Sequence, residues 1–301
     1  MDLAAFGQCV SSLSCVVNQL TSALITGLIL FLVASGLTLI FGVMGILNFA
    51  HGSLYMLGAY LSFSLLGLNF GLVTVVAALG VAMIGLLLER LVIRRIYRAP
   101  LLYQLLLTYA FILVFDDLAK VVWGYDFVSV GVPDMFRRPP IFIGRAPVPA
   151  YYMFIIVVGV AVAVGLRLLL SRTRFGRIIR AAADNPTMVA ALGVNVALVS
   201  MAVFALGSFL AGLGGVLAAP VRSIFPGMGF SILVESFIVV VIGGLGSIGG
   251  AFVGALLIGF VRAFGSVAFP ALEEGLIFML MAAVLLLRPR GVLGGGKELA
   301  G

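Results

Sequence analysis

The sequence is poor in charge and in the residue types from which metal and catalytic sites are built. Only 10% of its 301 residues are Asp, Glu, Lys or Arg, and it contains one histidine and two cysteines. So small a set provides neither a metal cluster nor a nucleophile–histidine–acid triad, so we expect no metal site and no catalytic residues. The phosphate-binding motif G-x-x-x-x-G-K-S/T does not occur either, which predicts no enzyme activity, no cofactor and no ATP site in this chain.

Hydrophobic residues occupy most of the chain instead. They make up 63% of the sequence, and the mean hydropathy is +1.29. A soluble domain usually carries about 25% charged residues, and a membrane-spanning helix needs about 20 residues. The composition therefore predicts an all-α, polytopic membrane helix bundle of about eight or nine spans, with residues 1–301 forming one transmembrane domain. The net charge of +7 indicates membrane topology more than a nucleic-acid partner.

Apolar runs separated by polar or glycine-rich stretches define the predicted spans. Breaks or re-entrant turns are predicted near 42–53 and 243–250, and the longer loops cover 124–150 and 171–195. The predicted spans are Gln19–Ile40, Gly45–Leu66, Phe70–Leu88, Leu101–Trp123, Tyr151–Leu170, Leu198–Ala219, Ile232–Ile242, Gly250–Val261 and Leu276–Leu287.

The most informative stretch is 35–60, which is apolar but interrupted by glycines and carries Asn48, His51 and Ser53. Irregular polar backbone survives at membrane depth only where protein buries it or water lines it, so such a segment indicates a transport pathway. His51 has an alternative role as a hydrogen-bonding link between helices, and Asn48 as a partner for carbonyls freed near Gly45. The pathway candidates are Asn48, His51, Ser53, Gly45, Gly243 and Gly246.

Positive charge in short loops predicts the orientation of the chain. The three basic clusters should be cytoplasmic, which places the C-terminus there and leaves the loop 124–150 outside. The N-terminus is outside if Gly45–Leu66 crosses fully and inside if it is re-entrant. No Lys or Arg precedes Arg90, so no signal peptide is expected. The clusters are Arg90, Arg94, Arg95 and Arg98; Arg172, Arg174, Arg177 and Arg180; and Arg288, Arg290 and Lys297.

A short helix is predicted inside the basic loop 171–195. Asp184 or Asn185 suits its N-cap, Pro186 its first turn and Gly193 its end, giving a helix over Pro186–Leu192. Such a helix, held between two spans, either docks on another protein or simply lies at the lipid headgroups. The spacing alone leaves both readings open.

The remaining charges and thiols give weaker signals. Asp116 and Lys120 are four residues apart and are expected to pair on one helix face. Glu235 and Arg262 either pair or help to dock a partner. Further docking candidates are Arg222, Arg137 and Arg138. Cys9 and Cys15 could form a disulfide in an oxidising compartment, but free thiols are expected.

Several of these segments resemble one known family. The run GLTLIFGVMGILNFAHGSLYMLGAY is similar to the signature of LivH-type permeases, which are membrane subunits of bacterial branched-chain amino-acid ABC importers. The stretches RTRFGRIIRAAADNPTMVAALGVN, VVVIGGLGSIGGAFVGALLIGFV and RPRGVLGG also resemble that family. The resemblance covers about 36–294 and implies a multi-pass protein of the bacterial inner membrane.

The resemblance also implies partners and a coupling site. A second, LivM-like permease, two cytoplasmic ATPase subunits that bind the ATP, and a periplasmic solute-binding protein would complete the importer. The usual glutamate-alanine-alanine sequence is replaced here by Arg180-Ala181-Ala182-Ala183, so the polar contacts with the ATPase are open. By position, the residues coupled to the ATPase would be Arg180, Asp184, Asn185, Pro186, Leu192 and Gly193.

Two other functions compete with this interpretation. A stand-alone secondary transporter or channel would not need a docking helix and would normally keep a carboxylate at mid-membrane. A pure anchor would gain nothing from broken spans. Within the family, permeases for urea and short amides are an alternative that the sequence does not exclude.

Overall fold

The computed structural model describes residues 3–97, 99–137, 139–143 and 146–294, and the side chains from Phe6 onward. Arg98, Arg138 and Lys297, which belong to the predicted basic and docking groups, lie outside these residues. The helices are α1 Leu3–Ser11, α2 Leu13–Met44, α3 His51–Ser64, α4 Phe70–Leu91, α5 Leu101–Trp123, α6 Ala150–Arg172, α7 Arg174–Asp184, α8 Pro186–Ala191, α9 Val196–Ala218, α10 Met228–Gly243, α11 Ile248–Ala268 and α12 Glu273–Leu287. One small hairpin joins strands β1 Ile141–Ile143 and β2 Ala146–Val148.

The predicted helix bundle is confirmed. Six helical segments are long and apolar enough to cross a membrane, and α10 is a shorter apolar helix. Each predicted span overlaps a helix, but the span Gly45–Leu66 begins with the non-helical residues 45–50, and α11 is longer than the short segment expected, at 21 residues. Helix α2 is also longer than predicted, at 32 residues. At about 1.5 Å per residue it exceeds a hydrocarbon core of about 30 Å, so one or both ends extend past the apolar layer.

Helix α2 forms the centre of the bundle. It is enclosed mainly by α9, α10 and α11, with α6 also against it, and 83% of its most apolar window is buried. A helix covered on every side has no need of a polar face, which explains why its sequence is apolar all round. Helices α6 and α12 lie at the periphery, where only 17% and 6% of the corresponding windows are buried.

The two ends of the bundle are defined by different loops. At the first end, Gly42 lies beside Gly246 in the turn 244–247, and the Val292 N–H donates to the Ile242 carbonyl at 2.8 Å. At the second end, Val128 and Ile224 form an antiparallel bridge between the loops 124–149 and 219–227. We call these the turn end and the loop end.

Segment 45–64 runs between these two ends. The chain leaves α2 at the turn end, and α3 finishes beside the end of α5, where Trp123 Nε1 donates to Ser64 Oγ at 2.7 Å. Because α5 leads directly into the loop 124–149, this places the end of α3 at the loop end. The segment therefore crosses the bundle fully and is not re-entrant.

The expectation of free thiols is wrong. Cys9 and Cys15 form a disulfide, with their Cα atoms 5.2 Å apart. Helix α1 ends at Ser11 and α2 begins at Leu13, so the chain turns at Ser12 between the two cysteines. This turn brings together two side chains that one continuous helix would have held apart.

Candidate functional site

The predicted break after α2 is present and is produced by Gly45. This glycine adopts φ +66°, and its N–H donates to the Phe41 carbonyl at 2.8 Å, which closes the last turn of the helix. Left-handed backbone of this kind is accessible to glycine at little cost. Residues 45–50 are then non-helical, and α3 starts at His51. The polar residues of the signature therefore lie at and just before the start of a new helix.

His51 ties this new helix to the middle of α2. Its side chain is fully buried, and Nε2 lies 3.0 Å from the Val33 carbonyl oxygen. Gly36 provides the space, because a Cβ at that position would lie 2.9 Å from Nε2. The other ring nitrogen, Nδ1, is buried and has no hydrogen-bond partner within the described chain.

Asn48 and Ser53 are also fully buried, and neither side chain forms a hydrogen bond with the described residues. Asn48 thus does not cap the carbonyls freed near Gly45, as one reading of the sequence suggested. A buried polar group left without a partner costs about 1–3 kcal/mol, so these two side chains stay candidates for contact with water or solute. Further buried side-chain oxygens without partners on α2, α3 and α10 are those of Thr38, Tyr55, Tyr60 and Ser236.

A second helix begins against the start of α3. Helix α10 follows the non-helical segment 219–227, which ends at Gly227 with φ +96°. Gly52 and Gly229 are in direct backbone contact, since a Cβ on Gly52 would lie 2.0 Å from the Gly229 carbonyl oxygen. The amino ends of α3 and α10 therefore meet inside the bundle. Helix amino ends carry partial positive charge, and paired broken helices of this kind are typical of transport sites.

The predicted spans already left 220–231 outside the helices, between Leu198–Ala219 and Ile232–Ile242, but the position of this interruption beside the first break was not predicted. The sequence contains a signal for it, because Pro220 and the pair Pro226-Gly227 follow a helix rich in small residues. Proline lacks the backbone N–H that a helix needs, and a Pro-Gly pair marks a turn.

The other glycine candidates lie at the turn end. Gly243 packs on Gly250, since a Cβ at Gly243 would lie 2.3 Å from the Gly250 carbonyl carbon. Gly246 adopts φ +82° in the four-residue turn 244–247 that joins α10 to α11. The structure therefore separates these two glycines from His51 and Ser53, which lie where α3 and α10 meet. Gly42 and Gly45, in and just after the last turn of α2, lie at the turn end.

The predicted helix in the basic loop is present as α8. Asn185 is its N-cap, with Oδ1 accepting from the Met188 N–H at 2.9 Å, and Pro186 occupies the first turn. Leu192 caps the carboxyl end, and Gly193 follows with φ +83°. Val189 is buried, whereas Met188 and Leu192 are 61% and 77% exposed. The helix therefore presents apolar side chains outward from a polar loop.

The basic segment before α8 is itself a helix, which the sequence analysis missed. Helix α7 covers Arg174–Asp184, and its buried face contains Ile179 and Ala182 while Arg180 is exposed. The guanidinium of Arg180 donates to the Leu170 carbonyl at the end of α6. Thr173 marks the boundary, because its Oγ1 accepts from the Gly176 N–H at 3.0 Å. Helices α7 and α8 thus form an elbow attached to α6.

This elbow connects directly to the bundle on its other side. Asn195 caps α9 by accepting from the Leu198 N–H at 3.2 Å, and Arg94 Nη2 donates to the Ala197 carbonyl at 3.0 Å. Arg94 also lies 3.5 Å from the buried carboxylate of Glu89, which accepts a hydrogen bond from the Tyr97 hydroxyl. Burial, and secondarily this hydrogen bond, raise the pKa of Tyr97. A movement of α8 would therefore reach α9 and the end of α4.

Comparison with known sequences identifies the family. Residues 19–285 match the family described as branched-chain amino acid transport system / permease component. This chain belongs to that family. The permease is a multi-pass membrane protein, as its apolar helices and its family together show.

Three relatives illustrate the range of similarity. The high-affinity branched-chain amino acid transport system permease protein BraD of Pseudomonas aeruginosa is 31% identical over 294 residues, covering 92% of this chain and 95% of the relative. The high-affinity branched-chain amino acid transport system permease protein LivH of Escherichia coli K12 is 28% identical over the same shares of the two chains. The fructose import permease protein FrcC of Rhizobium meliloti is 33% identical over 117 residues, or 36% of this chain and 32% of the relative. No solved structure matches the permease.

One ion-pair network of the permease is centred on Arg262. Arg262 bridges two carboxylates, with Nη1 2.7 Å from Glu235 Oε2 and Nε 2.9 Å from Glu273 Oε1. The predicted pair of Glu235 with Arg262 is thus present, and Glu273 is a partner that the sequence spacing did not reveal. This network joins α10, α11 and α12.

The predicted pair of Asp116 with Lys120 is wrong. Lys120 pairs with Asp117 instead, at 2.8 Å, because positions three apart share a helix face as well as positions four apart do. Asp116 is turned inward, towards the backbone N–H of Gly227 at the start of α10. A carboxylate there stabilises the positive end of that helix.

Proposed function

We propose that this chain is a membrane-spanning permease subunit of an ABC importer that moves branched-chain or related amino acids across the inner membrane. The observation that carries the proposal is the elbow of α7 and α8, a rigid element outside the spans that exposes Met188 and Leu192. A stand-alone carrier has no use for such an element. Family membership and the two full-length relatives support the choice of solute.

The importer would be completed by proteins that supply what this chain lacks. Two cytoplasmic ATPase subunits would bind and hydrolyse ATP, since this chain has no phosphate-binding motif. A second, LivM-like permease would form the other half of the pathway, and a periplasmic protein would deliver the solute. The chain itself would need no cofactor.

The turn end would face the cytoplasm in this arrangement. The elbow and the basic residues Arg172, Arg174, Arg177 and Arg180 would then lie inside, together with the C-terminus, in agreement with the positive-inside rule. The N-terminus would lie outside, where the Cys9–Cys15 disulfide is stable. Two independent chemical features thus support one orientation.

Transport would proceed by alternating access driven from the elbow. Closure of the ATPase dimer would displace α8, and the cap at Asn195 together with the Arg94–Ala197 hydrogen bond would carry this movement into α9. Helix α9 packs on α2, α3 and α4, so its displacement would change the junction where the amino ends of α3 and α10 meet. The polar groups near that junction without partners among the described residues, which are the side chains of Asn48 and Ser53 and Nδ1 of His51, would pass the solute without binding it tightly.

Co-purification and uptake test the proposal together. Two forms are compared, the wild-type chain and a variant in which a Gly/Ser linker replaces residues 186–192. Each is solubilised from its native membrane together with the proteins bound to it. ATP-driven uptake of leucine and of urea is then measured in liposomes. We expect an ATPase to co-purify with the wild type only, and leucine to be imported in preference to urea. Replacing the exposed apolar residues Met135 and Phe142 at the loop end by serine is the control and should leave the ATPase bound. Unaided leucine transport by the wild-type chain without any ATPase would contradict the proposal.

A further inference from the structure

A cavity at the loop end is lined by one basic and one acidic side chain together with apolar ones. Its volume is about 280 Å³, and it lies between the segment 219–227, the first turns of α10 and the side of α3 that carries Tyr55. Small-molecule sites start at about 300 Å³, so the cavity has room for one small solute. It is lined by Tyr55, Arg222, Ser223, Phe225, Met228, Ser231, Ile232 and Glu235.

The positive side of this cavity is formed by Arg222 and Tyr55. Arg222 is half-buried and makes no ion pair with the residues the structure describes. The Tyr55 side chain is 1% exposed, and its hydroxyl has no hydrogen bond of normal geometry among the same residues, although the Arg222 guanidinium is near it. A guanidinium can only donate to that hydroxyl, so the phenolic O–H still lacks an acceptor, which points to a ligand that supplies one. A carboxylate accepts well from a guanidinium and a phenol together.

The negative side is Glu235. Its Oε2 accepts from Arg262, and Arg262 is shared with Glu273, so this three-residue group carries one net negative charge towards the cavity. The remaining oxygen, Oε1, forms no hydrogen bond or ion pair with the described residues, and a carboxylate oxygen of this kind can accept from an ammonium group. The apolar wall consists of Phe225, Met228 and Ile232, which suit a branched aliphatic side chain.

We infer that this cavity is an entry site for an amino-acid zwitterion, with the carboxylate on Arg222 and Tyr55 and the ammonium on Glu235. The inference rests on the proposed function and makes it more specific, because neutral urea or amides would gain nothing from two opposed charges. Its position supports a role in entry, since residues 219–227 pair with the loop 124–149 at the loop end. From there the solute would reach the junction of α3 and α10, where Gly52 meets Gly229.

Saturation-transfer NMR on the assembled importer in nanodiscs tests this site with three probes. Leucine carries both charged groups, 4-methylpentanoate lacks the ammonium, and isoamylamine lacks the carboxylate. We expect wild type to bind leucine at millimolar concentration. Arg222→Gln should weaken the binding of leucine by about tenfold, which corresponds to the loss of one hydrogen bond to a charged group. The same variant should bind isoamylamine as wild type does. Tyr55→Phe should weaken the binding of leucine and of 4-methylpentanoate, and should leave the binding of isoamylamine unchanged.

Tyr60→Phe is the matched control. Tyr60 lies on the same helix with a buried, unpartnered hydroxyl, but it stacks on Trp123 and is not part of the cavity. Three outcomes would contradict the proposed site: no saturation-transfer signal for leucine with wild type, an equal loss of leucine and isoamylamine binding in Arg222→Gln, or the same ligand binding in Tyr55→Phe as in Tyr60→Phe. Uptake measured on the same preparations separates the two proposals. Normal leucine uptake in the Arg222→Gln and Tyr55→Phe variants rejects the site alone, whereas loss of leucine uptake in wild type rejects the function.

Discussion

Gly52 and Gly229 hold the amino ends of two helices in backbone contact at the centre of the permease. The space between them accepts no side chain, because a Cβ on Gly52 would fall 2.0 Å from the Gly229 carbonyl oxygen. Small residues at helix interfaces allow this kind of approach in membranes. The contact fixes where both broken helices begin, and so positions His51 and Tyr55 on α3 relative to Ser236 on α10.

Gly52→Ala should therefore abolish most uptake. The added methyl group forces α3 and α10 apart, and overpacking of a tight contact typically costs about 1–3 kcal/mol. The measurement is leucine uptake and thermal unfolding of the purified complex. Gly67→Ala is the control, since Gly67 is exposed and a Cβ there would contact nothing within 4 Å. Equal behaviour of the two variants would show that the close contact is unimportant.

His51→Ala tests whether this histidine links helices or handles solute. Removal of the imidazole loses the Nε2–Val33 hydrogen bond and leaves a cavity beside Gly36, which together should lower the free energy of unfolding by about 1–3 kcal/mol. The linking role predicts a lower melting temperature together with reduced uptake. Unchanged melting with lost uptake would instead assign His51 to the solute pathway.

Asn185→Ala should weaken binding of the ATPase without disturbing the spans. Removing an N-cap side chain costs about 1 kcal/mol, and α8 is too short to remain ordered without it. Co-purification of the ATPase is the readout, and Asn185→Asp should retain it because a carboxylate also caps. Asn69→Ala removes the equivalent cap from α4, where Oδ1 accepts from the Gly71 N–H at 2.9 Å. That variant should keep full ATPase binding.

The disulfide and the orientation can be checked by labelling intact cells. A membrane-impermeant maleimide should not react with Cys9 or Cys15 until an impermeant reductant is added, after which both should be labelled. This result requires the disulfide and an outside N-terminus together. Labelling before reduction would show free thiols, and resistance even after reduction, with labelling only in opened cells, would place this end in the cytoplasm.

The sequence predicted the elements better than their interruptions. Apolar length and glycine position located each span and the break at Gly45, because both are local properties of the chain. The approach of α10 to α3 brings together residues more than 150 positions apart, and no local pattern encodes such a contact. The same limit explains why Asp116 was paired with the wrong neighbour. The helix face it occupies is decided by α10, not by its spacing from Lys120.

The candidate site was only partly accessible from sequence for a similar reason. His51 stood out as the sole histidine, and Asn185 and Gly193 marked the ends of α8 through ordinary capping preferences. Tyr55 carried no signal, since a tyrosine in an apolar helix is unremarkable until its hydroxyl is found without a partner. Which residues line a cavity depends on helix rotation, which periodicity cannot give for a helix that is apolar on all sides.

The burial of α2 has a consequence for the synthesis of this protein. Helix α2 is the first long apolar segment to be made, yet α9, α10 and α11, which cover most of it, follow more than 150 residues later. During that interval lipid must cover the faces that these helices later occupy. The hydrophobicity of α2 thus serves two environments in succession, first as a partner for lipid tails and then as a packing surface. A chain shortened before α9 should remain inserted in the bilayer and expose this surface to other membrane proteins.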